Sequence, residues 1–71
     1  MKLEKIQNAC MVLEGIKTKK EIAEQMGETA PNLHVTIKKQ TIRLHRLIKL
    51  AKLMGCSVVI RHDRTNSIFK L

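Results

Sequence analysis

The sequence predicts a mainly α fold in which four helices are followed by a C-terminal β-hairpin. Apolar residues recur at helical spacing as far as about Met54, and threonines and glycines stand where helices begin and end. After Gly55 the chain becomes rich in β-branched residues, which favours strands. A chain of 71 residues forms one domain with a small core, and its 44% hydrophobic content excludes a disordered basic tail.

The first helix is predicted over residues 2–14, and Gly15 marks its end. Five residues share the helical spacing that predicts its core-facing side: Leu3, Ile6, Ala9, Cys10 and Leu13. We therefore expect Cys10 to act as a small core residue.

Two short helices joined by a tight turn are predicted between Thr18 and Lys39. Thr18 and Glu21 form a capping-box pattern, and Gly27 suits a left-handed turn. Thr29 can then cap the next helix. The expected core residues of the pair are Ile22, Ala23, Met26, Leu33 and Ile37. This layout is that of a helix-turn-helix, whose second helix enters the DNA major groove.

The fourth helix is predicted to begin at a Thr41 cap and to run to about Met54, with Gly55 after it. Its expected core stripe consists of Leu44, Leu47, Ile48, Ala51 and Met54. Leu50 and Leu53 extend the apolar surface sideways, so they are candidate subunit contacts.

A hairpin is predicted from strands over residues 56–61 and 67–71, with a turn at residues 62–66. Both hairpin faces are partly apolar, and a lone hairpin is barely stable in water. We therefore expect one face to cover the helical core and the other to pair with a second subunit. The candidate dimer-interface residues are Leu50, Leu53, Val59, Ile68 and Phe69.

The charge of the chain is strongly positive, with a formal net charge of +8. Residues 38–71 hold nine Lys/Arg and one acid, Asp63, so the excess lies after the helix-turn-helix. Such a field favours a polyanionic partner, although a solvated basic surface explains the charge equally well.

Other classes of function find little support in the sequence. Phe69 is the only aromatic residue, which argues against single-strand binding by base stacking. Cys10 and Cys56 are far apart, so we expect free thiols, no disulfide and a reduced cytoplasmic compartment. No metal spacing, catalytic constellation, cofactor motif, signal peptide or membrane span is apparent, so we expect neither an enzyme nor a small-molecule substrate.

Residues 18–39 resemble the helix-turn-helix of the lambda-repressor-like family, which includes the phage Cro and CI repressors. The run EIAEQMG over residues 21–27 is the most similar piece, and LIKLAKLMGC over residues 47–56 resembles the end of that fold. The resemblance covers roughly residues 3–56, and the hairpin is similar to the ending of short Cro-type proteins. It implies a four-helix domain that binds a palindromic operator as a homodimer and represses transcription.

The resemblance also implies roles for individual residues. The base-reading positions are Ala30, Pro31, Asn32, His34 and Val35. The phosphate-contacting positions, together with the basic residues that follow the third helix, are Thr18, Lys19, Thr29, Lys38, Lys39 and Arg43. The family often has Gln or Arg at the positions of Ala30 and Pro31, and a small or apolar residue at that of Glu28. We therefore expect modest base discrimination.

Taken together, the sequence predicts a DNA-binding domain over residues 1–55 and a dimerisation hairpin over residues 56–71. The expected function is a sequence-specific duplex DNA-binding regulator, a repressor of a phage or mobile element, located in the bacterial cytoplasm and on the nucleoid when bound. The alternative is a protein-binding module, such as an antitoxin or inhibitor, that turns its basic surface toward an acidic partner.

Overall fold

A computed structural model describes residues 1–71 and contains four helices followed by a two-stranded antiparallel hairpin. The elements are α1 (Leu3–Glu14), α2 (Lys19–Met26), α3 (Ala30–Lys38), α4 (Leu44–Leu53), β1 (Val59–His62) and β2 (Ser67–Lys70). The predicted mainly α architecture with a C-terminal hairpin is confirmed. None of the helices combines the length and the apolar character needed to cross a bilayer.

All four helices end in the same local structure, in which a residue with positive φ reverses the chain. In each case the next amide donates to a carbonyl five residues back, over 2.7–2.9 Å, and this satisfies a carbonyl at the helix end. The reversing residues are Gly15, Gly27, Gln40 and Gly55. Three were predicted from glycine, whereas Gln40 at φ 58° adopts the same conformation with a side chain.

Side-chain caps begin two of the helices, as predicted. The Thr18 hydroxyl accepts from the Glu21 amide at 3.3 Å, and the Thr29 hydroxyl accepts from the Asn32 amide at 3.4 Å. The predicted Thr41 cap is wrong, because the Thr41 amide closes the end of α3 instead. α4 starts later, after Arg43, whose side chain makes no capping bond.

The core is formed where α2 packs against α3 and α4, and α1 packs against α3. Its central buried residues are Met11, Ile22, Ala23, Met26, Leu33, Ile37, Leu50 and Met54. The core role expected of the α2 and α3 residues is confirmed. Methionine is adaptable in shape, which suits it to three positions of a core assembled from short helices.

The core-facing side of α1 was predicted only in part, since Cys10 packs against the core as expected but other residues of the predicted side do not. Gln7 and Met11 are buried, whereas Leu13 is 86% exposed and Ile6 is 41% exposed. Apolar residues occur almost all round this helix, so their spacing does not select one side. The packing against α3 makes that selection, and it turns Leu13 toward solvent.

The stripe of α4 is also rotated from the predicted one. Leu50 is fully buried at 0% exposure, while Leu44 is 54% exposed. Ala51 and Met54 are buried as expected. Leu50 therefore belongs to the core and does not form the subunit contact that was predicted for it.

The hairpin pairs Val59 with Lys70, Ile60 with Phe69 and Arg61 with Ile68. Every residue of both strands is exposed, and the strands contact only each other among the secondary-structure elements. The expectation that one face covers the helical core is wrong, because the helices close their core without it. The first strand also begins later than predicted, since residues 56–58 lead up to it without strand structure.

Candidate nucleic-acid interface

The outward side of α3 forms a continuous exposed stripe. Leu33 and Ile37 are buried and fix the opposite side of the helix in the core. At about 100° per residue, the five residues of the stripe fall on one side of the helix. They are Pro31, Asn32, Val35, Lys38 and Lys39, of which Lys39 caps the helix end. The stripe presents an amide, two apolar surfaces and two cations to the same partner.

Two of the predicted base-reading residues lie away from this stripe. Ala30 is half-buried and packs against the core cluster. His34 is half-buried, and its Nδ1 atom lies 3.4 Å from the Glu4 carboxylate. The structure thus brings Pro31, Asn32 and Val35 together and places Ala30 and His34 at the side of the helix.

Glu4 connects α1 to both α2 and α3. Its carboxylate lies 3.8 Å from Lys19 Nζ and 3.4 Å from His34 Nδ1. The carboxylate, Lys19 and His34 are all partly exposed, so the contacts are accessible to water. Sequence reasoning did not find this residue, since nothing local marks a partner from another helix. Glu4 therefore occupies space beside two residues expected to meet DNA.

The predicted phosphate contacts stand at the starts of α2 and α3 and after α3. Each capping threonine accepts a backbone N–H and keeps its own hydroxyl hydrogen free to donate to an anion. Lys38, Lys39 and Arg43 are exposed, and none of the three is in an ion pair. A phosphate can therefore approach these groups without displacing a protein carboxylate.

A salt bridge connects α4 to the turn between α2 and α3. Arg46 Nη2 lies 2.6 Å from Glu28 Oε2 and also donates to the Met26 carbonyl at 3.4 Å. Both side chains are partly buried, which strengthens the pair relative to an exposed one. This contact explains why an acid occupies position 28. Arg46 is therefore engaged within the protein and is not one of the unpaired cations.

Most of the positive charge remains free to attract an anion. Of the fourteen Lys and Arg residues, only Lys19, Arg46 and Arg61 pair with a carboxylate. The unpaired cations contribute a positive field around the stripe of α3 and the residues that follow it.

The predicted subunit contacts divide into accessible and buried residues. Val59, Ile68 and Phe69 are 45%, 63% and 62% exposed, respectively. Leu53 is half-buried and packs partly on the core, and Leu50 is inaccessible. A groove of about 230 Å³ adjoins the hairpin and is lined mainly by apolar side chains of α1, α4 and residues 56–58.

No protein-family model, curated protein or solved structure matches the chain. The case for a function therefore rests on the geometry of residues 18–39 and on the charge that surrounds them.

Proposed function

We propose that this protein is a sequence-specific duplex DNA-binding regulator of transcription that acts as a homodimer. The observation that carries the proposal is the exposed stripe of α3, held outward by buried Leu33 and Ile37. α2 precedes it across a tight turn at Gly27, in the order that places a recognition helix in the major groove.

Three residues of the stripe make most of the proposed contacts with bases. The Asn32 amide can bond the N6 and N7 edge of an adenine, and Pro31 and Val35 can pack on thymine methyl groups. His34 lies at the side of the helix, and its imidazole must separate from the Glu4 carboxylate before it can reach a base. Few strong hydrogen bonds to bases are available, so DNA shape and half-site spacing supply part of the specificity.

Affinity comes mainly from phosphate neutralisation. Lys38 is the last residue of α3, Lys39 and Arg43 follow it, and Lys19 stands at the start of α2. With about four to five phosphate contacts per subunit, the dimer has a log–log salt slope on the order of −7 to −9.

The uncovered hairpin supports a homodimer. Val59, Ile68 and Phe69 expose apolar surface that a second copy can cover, and pairing would stabilise a hairpin that has no helical support. A two-fold dimer reads two half-sites about 34 Å apart on one face of DNA. The resemblance to the lambda-repressor-like family favours repression, in a phage or mobile element, as the regulatory outcome.

The test is selection of bound sites from random duplex DNA, combined with gel filtration of the free protein. We expect a short palindrome and a dimer. Asn32→Ala should relax base preference at one position of each half-site. Lys38→Ala should weaken binding to all sequences and reduce the salt slope by about two, one contact per subunit.

Lys70→Ala is the matched control, because it removes the same charge from the hairpin. If the α3 variants and Lys70→Ala change binding equally, α3 is not the reading helix. If no motif is enriched, the regulator proposal fails.

A protein-binding function is the second candidate. Val12 and Leu13 on α1 are 79% and 86% exposed, which is unusual for large apolar residues and provides a possible contact for a protein. This function requires stable binding to an acidic protein and no retention on duplex DNA at moderate salt. A binding comparison of the two partners with Leu13→Gln and Lys38→Ala separates the two functions.

A further inference from the structure

The only two cysteines of the chain, 46 positions apart, lie together in the fold. Cys10 is in the middle of α1, and Cys56 follows the reversal at Gly55 after α4. Both line the apolar groove beside the hairpin, and both pack against the core cluster. The two thiols are near enough that the Cys56 side chain raises the pKa of Cys10.

Local structure holds both thiols in this position. Cys10 lies within α1, and the burial of Gln7 and Met11 fixes the rotation of this helix about its axis. The Cys56 amide donates to the Ala51 carbonyl at 2.7 Å, and its thiol lies 3.4 Å from the Met54 carbonyl. Neither cysteine is at a chain end, and each is only half-buried at the groove.

We propose that Cys10 and Cys56 form a reversible intramolecular disulfide that ties α1 to the connection between α4 and β1. The closed loop would contain α2, α3 and α4. Cys56 lies three positions before β1, so the bond would also fix the base of the hairpin to α1.

The oxidant is a small-molecule disulfide of the oxidised-glutathione class. One cysteine thiolate attacks a sulfur of the reagent, and the S–S bond of the reagent breaks to release one thiolate. The second cysteine thiolate then attacks the protein sulfur of the mixed disulfide and displaces the second reagent thiolate. Two protein thiols and one reagent disulfide give one protein disulfide and two reagent thiols, which carry the two protons.

Contact with the Cys56 thiol, followed by partial burial, raises the pKa of Cys10 above its ordinary value of 9.0. The thiol form of Cys10 therefore predominates at neutral pH, which is consistent with a pair that stays reduced until an oxidant is present.

The test treats the reduced full chain with oxidised glutathione at low micromolar protein concentration. We expect no free thiol after denaturation, and an intact mass lower by two hydrogen atoms. Trypsin should release residues 6–17 joined to residues 53–61, since these peptides carry the two cysteines. The yield should not depend on protein concentration.

The matched control moves one thiol by a single position. In the double variant Ala9→Cys with Cys10→Ser, the thiol stands at an exposed position of α1. This variant should carry glutathione adducts and little internal disulfide. If it closes the internal bond as completely as the parent chain, closure does not depend on the folded contact, and the proposal is overturned.

Stability provides an independent measurement. Oxidation of the parent chain should shift the folding equilibrium toward the folded state by between about thirtyfold and a thousandfold, as measured by urea unfolding. Glutathione adducts or covalent dimers as the main product of the parent chain would overturn the proposal. An internal bond that lowers the unfolding midpoint would do the same, because the native positions would then not match a disulfide.

Discussion

At the residue scale, single polar contacts from α1 and α4 connect these helices to α2, to α3 and to the turn between them. Glu4 contacts Lys19 and His34 from α1, and Arg46 contacts Glu28 from α4. The first contact is accessible and touches residues proposed to meet DNA. The second is partly buried and fixes the turn. Their removal should therefore have different effects.

Glu4→Gln should tighten DNA binding by about two- to fivefold at low salt, the range of an exposed ion pair. The substitution frees Lys19 for a phosphate and removes a negative charge beside it. The measurement is a binding titration at two salt concentrations, and the gain should shrink at the higher one.

Glu14→Gln is the control for that prediction, because it removes the same charge from the other end of α1. Equal gains for the two variants would mean that net charge alone is responsible and that the position of Glu4 is unimportant.

Arg46→Gln should destabilise the fold by about 1–2 kcal/mol, because it leaves a partly buried carboxylate without its partner. Glu28→Gln should cost less, since it leaves no partly buried charge unpaired and Arg46 keeps its hydrogen bond to the Met26 carbonyl. Urea unfolding measures both, and Arg43→Gln serves as the exposed control at a site without an ion pair. If Arg43→Gln lowered the free energy of unfolding as much as Arg46→Gln, a specific role for the salt bridge would be contradicted.

At the element scale, helix ends were more predictable than helix sides. The caps at Thr18 and Thr29 and the reversal at Gly27 depend on residues within one helical turn, so the sequence specifies them locally. The buried sides of α1 and α4 depend on neighbours from elsewhere in the chain. Both helices carry apolar residues beyond one stripe, and the prediction was right for only part of each, since Leu13 and Leu44 were expected in the core and are exposed.

Gly27→Ala should destabilise the fold by about 1 kcal/mol through backbone conformation alone. Gly27 has φ 72°, and no atom lies within 4 Å of the position that a Cβ would take. Gly27→Asn should cost less, since asparagine tolerates the left-handed region. Thermal unfolding compares the two, and an alanine variant as stable as the parent chain would contradict the requirement for positive φ.

At the scale of the whole molecule, the hairpin is the part that no helix covers. Ile68 and Phe69 stand on opposite faces of β2 and are both more than 60% exposed. The helices form their core without these two residues. Substitutions in the hairpin should therefore change association without changing the stability of the helical core.

The double variant Ile68→Thr with Phe69→Thr should therefore be monomeric while its helices unfold within about 1 kcal/mol of the parent monomer. Threonine keeps strand propensity and removes most of the apolar surface. Sedimentation across a concentration series measures association, and circular dichroism measures unfolding.

Val12→Gln with Leu13→Gln is the corresponding control on α1, where two exposed apolar residues are replaced at another surface. If this variant loses the dimer and the hairpin variant keeps it, the subunit contact lies on α1. The hairpin would then not be the dimerisation element.

Local sequence determined the order of the elements, the three glycine-marked helix ends, the two threonine caps and the outward placement of Asn32, Val35 and Lys38. These features depend on backbone preferences and on spacing within a single helix. Tertiary structure alone decided that Leu50 is core, that Leu13 is exposed, that Glu4 contacts His34, and that Cys10 and Cys56 line one groove. Each of these depends on how separate helices turn toward one another, and packing between distant segments sets that rotation.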